Sequence, residues 1–494
     1  MDTLTHTGTG TTRTFAGGLV RRTALDTPRR LVLAAALVAL LAAGFTVILA
    51  QGTSAARGAL SSMAAKTGEV SATNDLYFRL NDMDAQAANT LLVGFHPTIE
   101  VPASSSASAS MATYEKDRAA ASADLQQIAA NPNLAGRYTR LLTAIGGYEG
   151  LVAQAVYIDQ GAQNEAPATP PAAALALYRQ ASDQMHTSVL PIAADVTAQD
   201  SANVDGMYSA DRGGAQLDAV LVAMVGLLLA GALVAAHWYL GRRFRRILTP
   251  TLALAAALTV VVTGLGFSVL LHEAQQLWVA KSEAFDSINA LTNARAVAYD
   301  ANADESRWLL DPTGVLQSSY FAKVEQVAGT QSVNATDAAN DPTQYYTALQ
   351  QSVGALKLNQ GANSVTNVQL RGLLGTELNN ITFPGEAQGA YTTTKAFSAY
   401  VQDDATIRAD AERSDLADAV RFDVGTTAGE SNATFYQYDQ ALLGIIGINQ
   451  NAFHGAIGDG RSALGVWTWL PYATGIAVLA LVGAALYPRL REYR

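Results

Sequence analysis

The sequence predicts an all-α membrane protein: four transmembrane helices and two extracytoplasmic helical-bundle domains in an internally duplicated chain. Three observations predict it. The 494 residues are 49% hydrophobic and only 15% charged, against about a quarter charged in ordinary soluble domains. Four uncharged stretches, 31–50, 219–240, 247–271 and 462–488, reach the roughly 20 apolar residues that cross a bilayer. Charge also sorts by segment: the three short pieces (1–30, 241–246, 489–494) hold twelve Lys/Arg against three Asp/Glu, and the two long ones (51–218, 272–461) hold 20 against 39. Basic short loops stay in the cytoplasm, so both termini are expected inside and both long segments outside.

Residues 1–26 are polar and Thr/Gly-rich, a composition that does not support a packed core, so disorder is expected there. The apolar run 31–50 is longer than a signal-peptide core and is read as a retained anchor. Beyond it, 51–95 is poor in helix breakers and carries the stripe Leu76, Leu80, Met83, Ala87 and Leu91, so the helix is expected to continue out of the span. About 45 such residues would rise roughly 70 Å. The Ser/Ala run 103–110 reads as a flexible connection. Helices are expected near 113–130 and 134–159, parted by Asn131-Pro132-Asn133, with a Pro/Ala-rich break at 161–173. A returning helix over 172–215 then feeds the second span. After the third span the plan repeats: a helix over 272–310, helices near 342–358 and 394–424, an irregular Gly/Asn/Thr-rich stretch at 360–392, and a returning helix at 432–461. Each long segment therefore reads as an up-down bundle of about four helices. Trp238, Tyr239, Trp467, Trp469, Tyr472 and Tyr487 fall at span ends, where amphipathic rings settle.

Internal similarity supports a duplication. Thr27-Pro28 and Thr249-Pro250 each open a span, and at that offset Gly44-Phe45-Thr46-Val47 matches Gly266-Phe267-Ser268-Val269. With a slip of four residues, Asp82-x-Asp84-Ala85 through Leu91-Leu92 aligns with Asp300-x-Asn302-Ala303 through Leu309-Leu310.

Chemistry is harder to find. No cysteine is present, which excludes disulfides, zinc thiolates, iron–sulfur clusters and thiol catalysis. The net charge of −10 argues against nucleic acid. There is no P-loop, H-E-x-x-H, G-x-S-x-G or D-F-G motif, and the six histidines lack metal-ligand spacing. No enzyme, cofactor or metal is expected. The acidic positions Asp82 and Asp84 in one copy, and Asp300, Asp304 and Glu305 in the other, are candidate ligand or partner contacts; the competing reading is a solvated helix face. Asp82 and Asp84 differ by some 200° around a helix, so one at most is expected to face inward. Trp308 is either a partner anchor or a core residue. Arg242, Arg243, Arg245 and Arg246 in the hairpin, with Arg489, Arg491 and Arg494 in the tail, meet anionic lipid or form a cytoplasmic docking motif.

The layout and several motifs resemble the GlnX-type family of actinobacterial membrane proteins. The matching residues are Asn81-Asp82-Met83-Asp84-Ala85 with Leu91-Leu92, Leu177-Tyr178-Arg179-Gln180-Ala181-Ser182, and Tyr299 through Ser306. Asn449-Gln450-x-Ala452-Phe453, Asp459-Gly460-Arg461 and the closing Pro488 to Arg494 complete the set. The resemblance implies a neighbouring glutamine-binding lipoprotein outside and the Ser/Thr kinase PknG inside. The layout is also similar to the four-helix-bundle periplasmic sensors of chemoreceptors, without their cytoplasmic half.

Three functions are open on this reading. The first is a signalling relay, in which helices continuous with the spans carry an amino-acid signal across the membrane to a cytoplasmic kinase. The second is an envelope scaffold that does not switch. The third is an auxiliary transporter subunit, which spans without a mid-membrane acid disfavour.

Overall fold

The computed structural model describes residues 27–129, 135–244 and 250–491. The expected disorder of residues 1–26 and the break at 131–133 lie outside them. The fold is about 85% helical, and among the described residues its sheet is one antiparallel hairpin, β1 (Lys357–Asn359) with β2 (Ser364–Thr366). Among the described residues five helices are long and apolar enough to cross a membrane; besides stretches in each of the four expected regions, Gly136–Gln160 qualifies.

In the first long segment the helices are α1 (Thr27–Val93), α2 (Ala107–Ala129), α3 (Ala135–Gln160), α4 (Ala172–Gln184) and α5 (Leu190–Phe244). Helix α1 stops at Gly94, which takes the left-handed conformation (φ +73°) that glycine alone adopts without cost. A Cβ there would lie 2.2 Å from Glu165 Oε2, so the turn is closed to larger residues. The second segment holds α6 (Pro250–Trp278), α7 (Asp286–Leu310), α8 (Gly314–Ala328), α9 (Ala335–Asn340), α10 (Pro342–Gly354), α11 (Gly372–Asn379), α12 (Glu386–Glu412), α13 (Leu416–Val424), α14 (Ser431–Ala463) and α15 (Leu470–Arg491). One-turn π segments, Met185–Val189 and Val279–Phe285, join α4 to α5 and α6 to α7 without a break.

The described residues form two compact units, one of 27–49 with 221–244, 250–265 and 469–491, the other of 50–129, 135–220 and 266–468. In the first, Leu31, Val38, Phe45 and Leu49 of α1 are buried, whereas Val32, Leu33, Leu37 and Leu40 stay exposed. Apolar residues outside as well as inside are what a lipid-facing helix requires. Small residues let these helices approach: a Cβ on Gly226 would stand 2.1 Å from Thr263 Oγ1, and one on Gly475 2.2 Å from Thr46 Oγ1.

The second unit takes in both long segments. One of its cores gathers Leu76, Leu80, Met83, Leu91, Tyr148, Tyr178 and Val196 from the first segment, and it is completed by Leu309, Leu310, Ile407, Val420 and Val424 from the second. Another is built within the second segment from α7, α8, α10, α12 and α14, around Tyr320, Phe321, Phe397, Tyr400 and Tyr438.

Several expectations need correction. The run 103–110 is not a flexible connection: Ala103–Ser105 is a 3₁₀ turn, α2 starts at Ala107, and buried Ser105 donates its hydroxyl to Val424 O at 2.5 Å. The returning helix α14 does not run into the last apolar helix. It ends at Ala463, Arg57 donates to the carbonyl of the buried Leu464 that follows (2.7 Å), and a 3₁₀ turn over Gly465–Thr468 comes next. Pro471, which cannot donate a backbone hydrogen bond, then sits in the first turn of α15. Trp467 is buried rather than turned outward. Residues 314–328 were not anticipated as helix; the helix expected near 342–358 ends at Gly354 with β1 following at 357–359, and 360–392 holds β2, α11 and the start of α12.

Candidate functional site

Near its end, α1 is covered on both sides, by helices of the first segment and by α7 and its neighbours from the second. Two residues that point some 200° apart are therefore both buried: Asp84 is 1% exposed and Asp82 7%. The expectation that one at most faces inward fails, because the helix has two inward faces. Asp300 and Asp304 are buried too, so none of the four lies on a solvated surface.

On the Asp84 side stands a network of charged groups. Arg307, on α7, donates Nη1 to Asp84 Oδ2 and Nη2 to Asp300 Oδ1, both at 2.6 Å. It also pairs with Asp304 Oδ1 at 2.8 Å. Lys323, from α8, reaches Asp300 Oδ2 at 2.8 Å and Asp304 Oδ2 at 2.6 Å. Tyr148 of α3 and Ser182 of α4 each donate a hydroxyl to Asp84 at 3.3 Å. Positions 300, 304 and 307 share one helix face by their spacing, which is why a single α7 surface supplies two acids and the cation between them. Burial raises the Asp300 carboxyl, but Lys323, Arg307 and His186 overcome this and hold it well below the usual range. Arg307, despite burial, is held well above its ordinary value by Asp304, Asp300 and Asp84.

His186 is the sixth ionisable member and sits in the π turn between α4 and α5. Its Nδ1 faces Ser182 O at 2.8 Å; a carbonyl only accepts, so Nδ1 carries a proton. Its Nε2 faces both Asp300 Oδ1 at 3.1 Å and Arg307 Nη1 at 3.0 Å. Protonated, Nε2 pairs with Asp300; unprotonated, it accepts from Arg307. A cavity of about 240 Å³ adjoins the network, lined by Tyr178, Arg179, Ser182, Arg307, Leu310 and Asp311 among others. Arg179 and Asp311 pair across it at 2.8 Å.

The Asp82 side is different. Asp82 accepts from Gln86 at 2.9 Å and lies on a cavity of about 200 Å³ with Asn89, Tyr299, Asn302, Asn432 and Phe435. Burial, first, and the nearby Asp117, second, push its carboxyl up to about 8. Beyond these, Ser306 links the segments: its single hydroxyl proton is shared between Asn89 Oδ1 at 2.6 Å and Asp423 Oδ2 at 3.0 Å. Glu305 accepts from Tyr400 at 3.0 Å and is raised well above a normal carboxyl by burial, Asp404 and Asp423.

Trp308 is partly buried against the first core, with the Arg408 guanidinium 4.6 Å above its ring. Arg242 is exposed and stacks on Trp238 at 4.0 Å. Arg243, Arg489 and Arg491 lie on helix ends whose side chains are not described, and Arg245, Arg246 and Arg494 lie outside the described residues. Among the described residues no group of three or more His, Asp or Glu is arranged to hold a metal. Sequence reasoning did not single out Arg307, Lys323 or His186. The usable signal was the i, i+4, i+7 spacing of Asp300, Asp304 and Arg307, which makes a charged stripe no surface requires.

A family model described as an actinobacterial sensor domain matches residues 59–209. No curated protein and no solved structure matches the chain.

Proposed function

We propose that the chain is a transmembrane signalling relay, which takes an extracytoplasmic amino-acid signal from a solute-binding lipoprotein and passes it to a cytoplasmic Ser/Thr kinase. One observation carries the reading: the segment similar to a sensor domain, 59–209, lies between two apolar stretches on helices that continue into both of them, α1 and α5. A helix shared in this way transmits a shift of 1–2 Å or a rotation without a joint. Both termini are cytoplasmic on this reading, and the second compact unit lies outside the membrane. The protein's role is non-catalytic. Ligand or loaded lipoprotein drives the relay only if it binds two arrangements of that unit with different affinity.

The test is crosslinking and recovery of the full-length protein from its native membrane, with and without added amino acids. The relay predicts a solute-binding lipoprotein and a kinase among the partners, in amounts that follow the amino acid. Recovery of cell-wall or division proteins alone, unchanged by amino acids, establishes the scaffold reading instead.

A further inference from the structure

Asp82 and Asp300 occupy matching places in the internal alignment, but Asp300 is ringed by Arg307, Lys323 and His186, whereas Asp82 has Gln86 and Asp117 beside it. Asp300 has Arg307 seven residues on, on the same helix face, at 2.6 Å. In the same register, Asn89 stands where Arg307 stands. Seven residues beyond Asp82 there is thus a neutral amide, and next to it a cavity of about 200 Å³. The nearest arginines are committed elsewhere: Arg79 pairs with Asp117 at 3.2 Å, and Arg295 with Asp439 at 2.5 Å. Among the described residues no lysine, arginine or histidine lines the cavity.

We propose that this cavity binds a small organic cation bearing a guanidinium or ammonium group, which pairs with Asp82 and fills the place that Arg307 fills beside Asp300. Its other walls suit such a guest. Asn302 donates its amide nitrogen towards Glu305 and Asn432 at 3.4–3.5 Å, which leaves its Oδ1 to accept from the cation. Tyr299 and Phe435 contact edge to face at 4.8 Å and give the cavity an aromatic wall that favours a cation. The mouth is reachable, since Ser104, Thr426 and Tyr436 on its lining are exposed. A free amino acid fits less well, because its carboxylate finds no cationic partner on the lining. The groups that face Asp82 are Gln86 on its own helix, Asp117 from α2, and Tyr299 with the more distant Arg295 from α7. Burial, and Asp117 beside it, leave the Asp82 carboxyl holding a proton near neutrality. Cation binding displaces that proton, so affinity rises from pH 6 to pH 8. This site stands apart from the relay reading, and its binding is measured without any intracellular output.

The experiment is calorimetric titration of the full-length protein in lipid nanodiscs with methylguanidinium chloride, and with L-glutamine as a zwitterionic control. The expected result is saturable methylguanidinium binding that strengthens from pH 6 to pH 8 and weakens at least tenfold in the isosteric Asp82→Asn variant. The Asn89→Arg variant, which tethers a cation in the cavity, should also lose at least tenfold. No saturable binding by a wild-type protein that melts cooperatively overturns the proposal. So does binding unaffected by Asp82→Asn, or an affinity for L-glutamine equal to or above that for methylguanidinium.

Discussion

Arg307 Nη1 donates to Asp84 Oδ2 at 2.6 Å across 223 residues of sequence, and both side chains are buried. The contact joins the last turns of α1 to the last turns of α7. Removing one partner of a buried ion pair strands the other without water, at about 3–5 kcal/mol. Arg307→Gln should therefore lower stability by about that amount, since it leaves Asp84, Asp300 and Asp304 facing each other with only Lys323 and His186. Asp84→Asn should cost less, and the double variant less than the sum of the two, because the penalties share a cause. Chemical denaturation of the purified protein followed by circular dichroism measures all three.

A second prediction concerns pH. Burial, first, and Asp404, second, raise the Asp423 carboxyl to about 7, against the opposing hydrogen bond from Ser306. The folded state thus holds a proton that the unfolded chain releases near pH 4. This contribution to stability is fully present below pH 4 and is lost as pH rises towards 7, by about 1.4 kcal/mol per unit. Asp423→Asn should flatten the decline between pH 4 and 7. Melting temperatures of the two proteins across that range provide the comparison.

The third lies in the other compact unit. At Gly226 a Cβ would meet Thr263 Oγ1 at 2.1 Å, so Gly226→Val forces α5 and α6 apart, at about 1–3 kcal/mol. Thr263→Ala should recover part of the loss. The absence of native cysteine makes the readout clean: cysteine pairs introduced across α5 and α6 should oxidise more slowly in the Val variant.

The fourth belongs to the relay. Removing residues 489–494 together with neutralising Arg242, Arg243, Arg245 and Arg246 should abolish the response of the kinase to the amino-acid signal while the protein still reaches the membrane. Phosphorylation of the kinase's substrates, set against the amount of protein in the membrane fraction, decides it; a normal response sinks the docking role.

The apolar stretches were legible from composition, because a span must be uninterrupted to exclude water from its backbone. The long helices were legible from spacing: α1 ends at Val93 and α7 at Leu310, close to the expected limits. What spacing does not show is which helices cover which. Asp82 and Asp84 read as one inward and one outward residue because a stripe argument assumes a single core, and α1 has a core on either side. The sharing of one unit by both long segments was hidden for the same reason. The Ser/Ala run 103–110 looked mobile because small polar residues rarely hold structure alone; Ser105 is fixed by a carbonyl of α13, more than 300 residues away. Of the ionic network, the acids were noticed and the cations were not, since a lone lysine or histidine carries no pattern until the fold brings it to a carboxylate.

The pairing of Asp84 with Arg307 also imposes an order on the protein's birth. Asp84 leaves the ribosome 223 residues ahead of its cation, which at 5–20 residues per second is a delay of roughly 11–45 s. During that interval the first segment also lacks Leu309, Leu310, Ile407 and Val420, which complete its core. A nascent chain in this state exposes apolar surface that favours aggregation. The vulnerable product of an early stop or a slow codon beyond residue 220 is therefore a first segment with an unfinished interior.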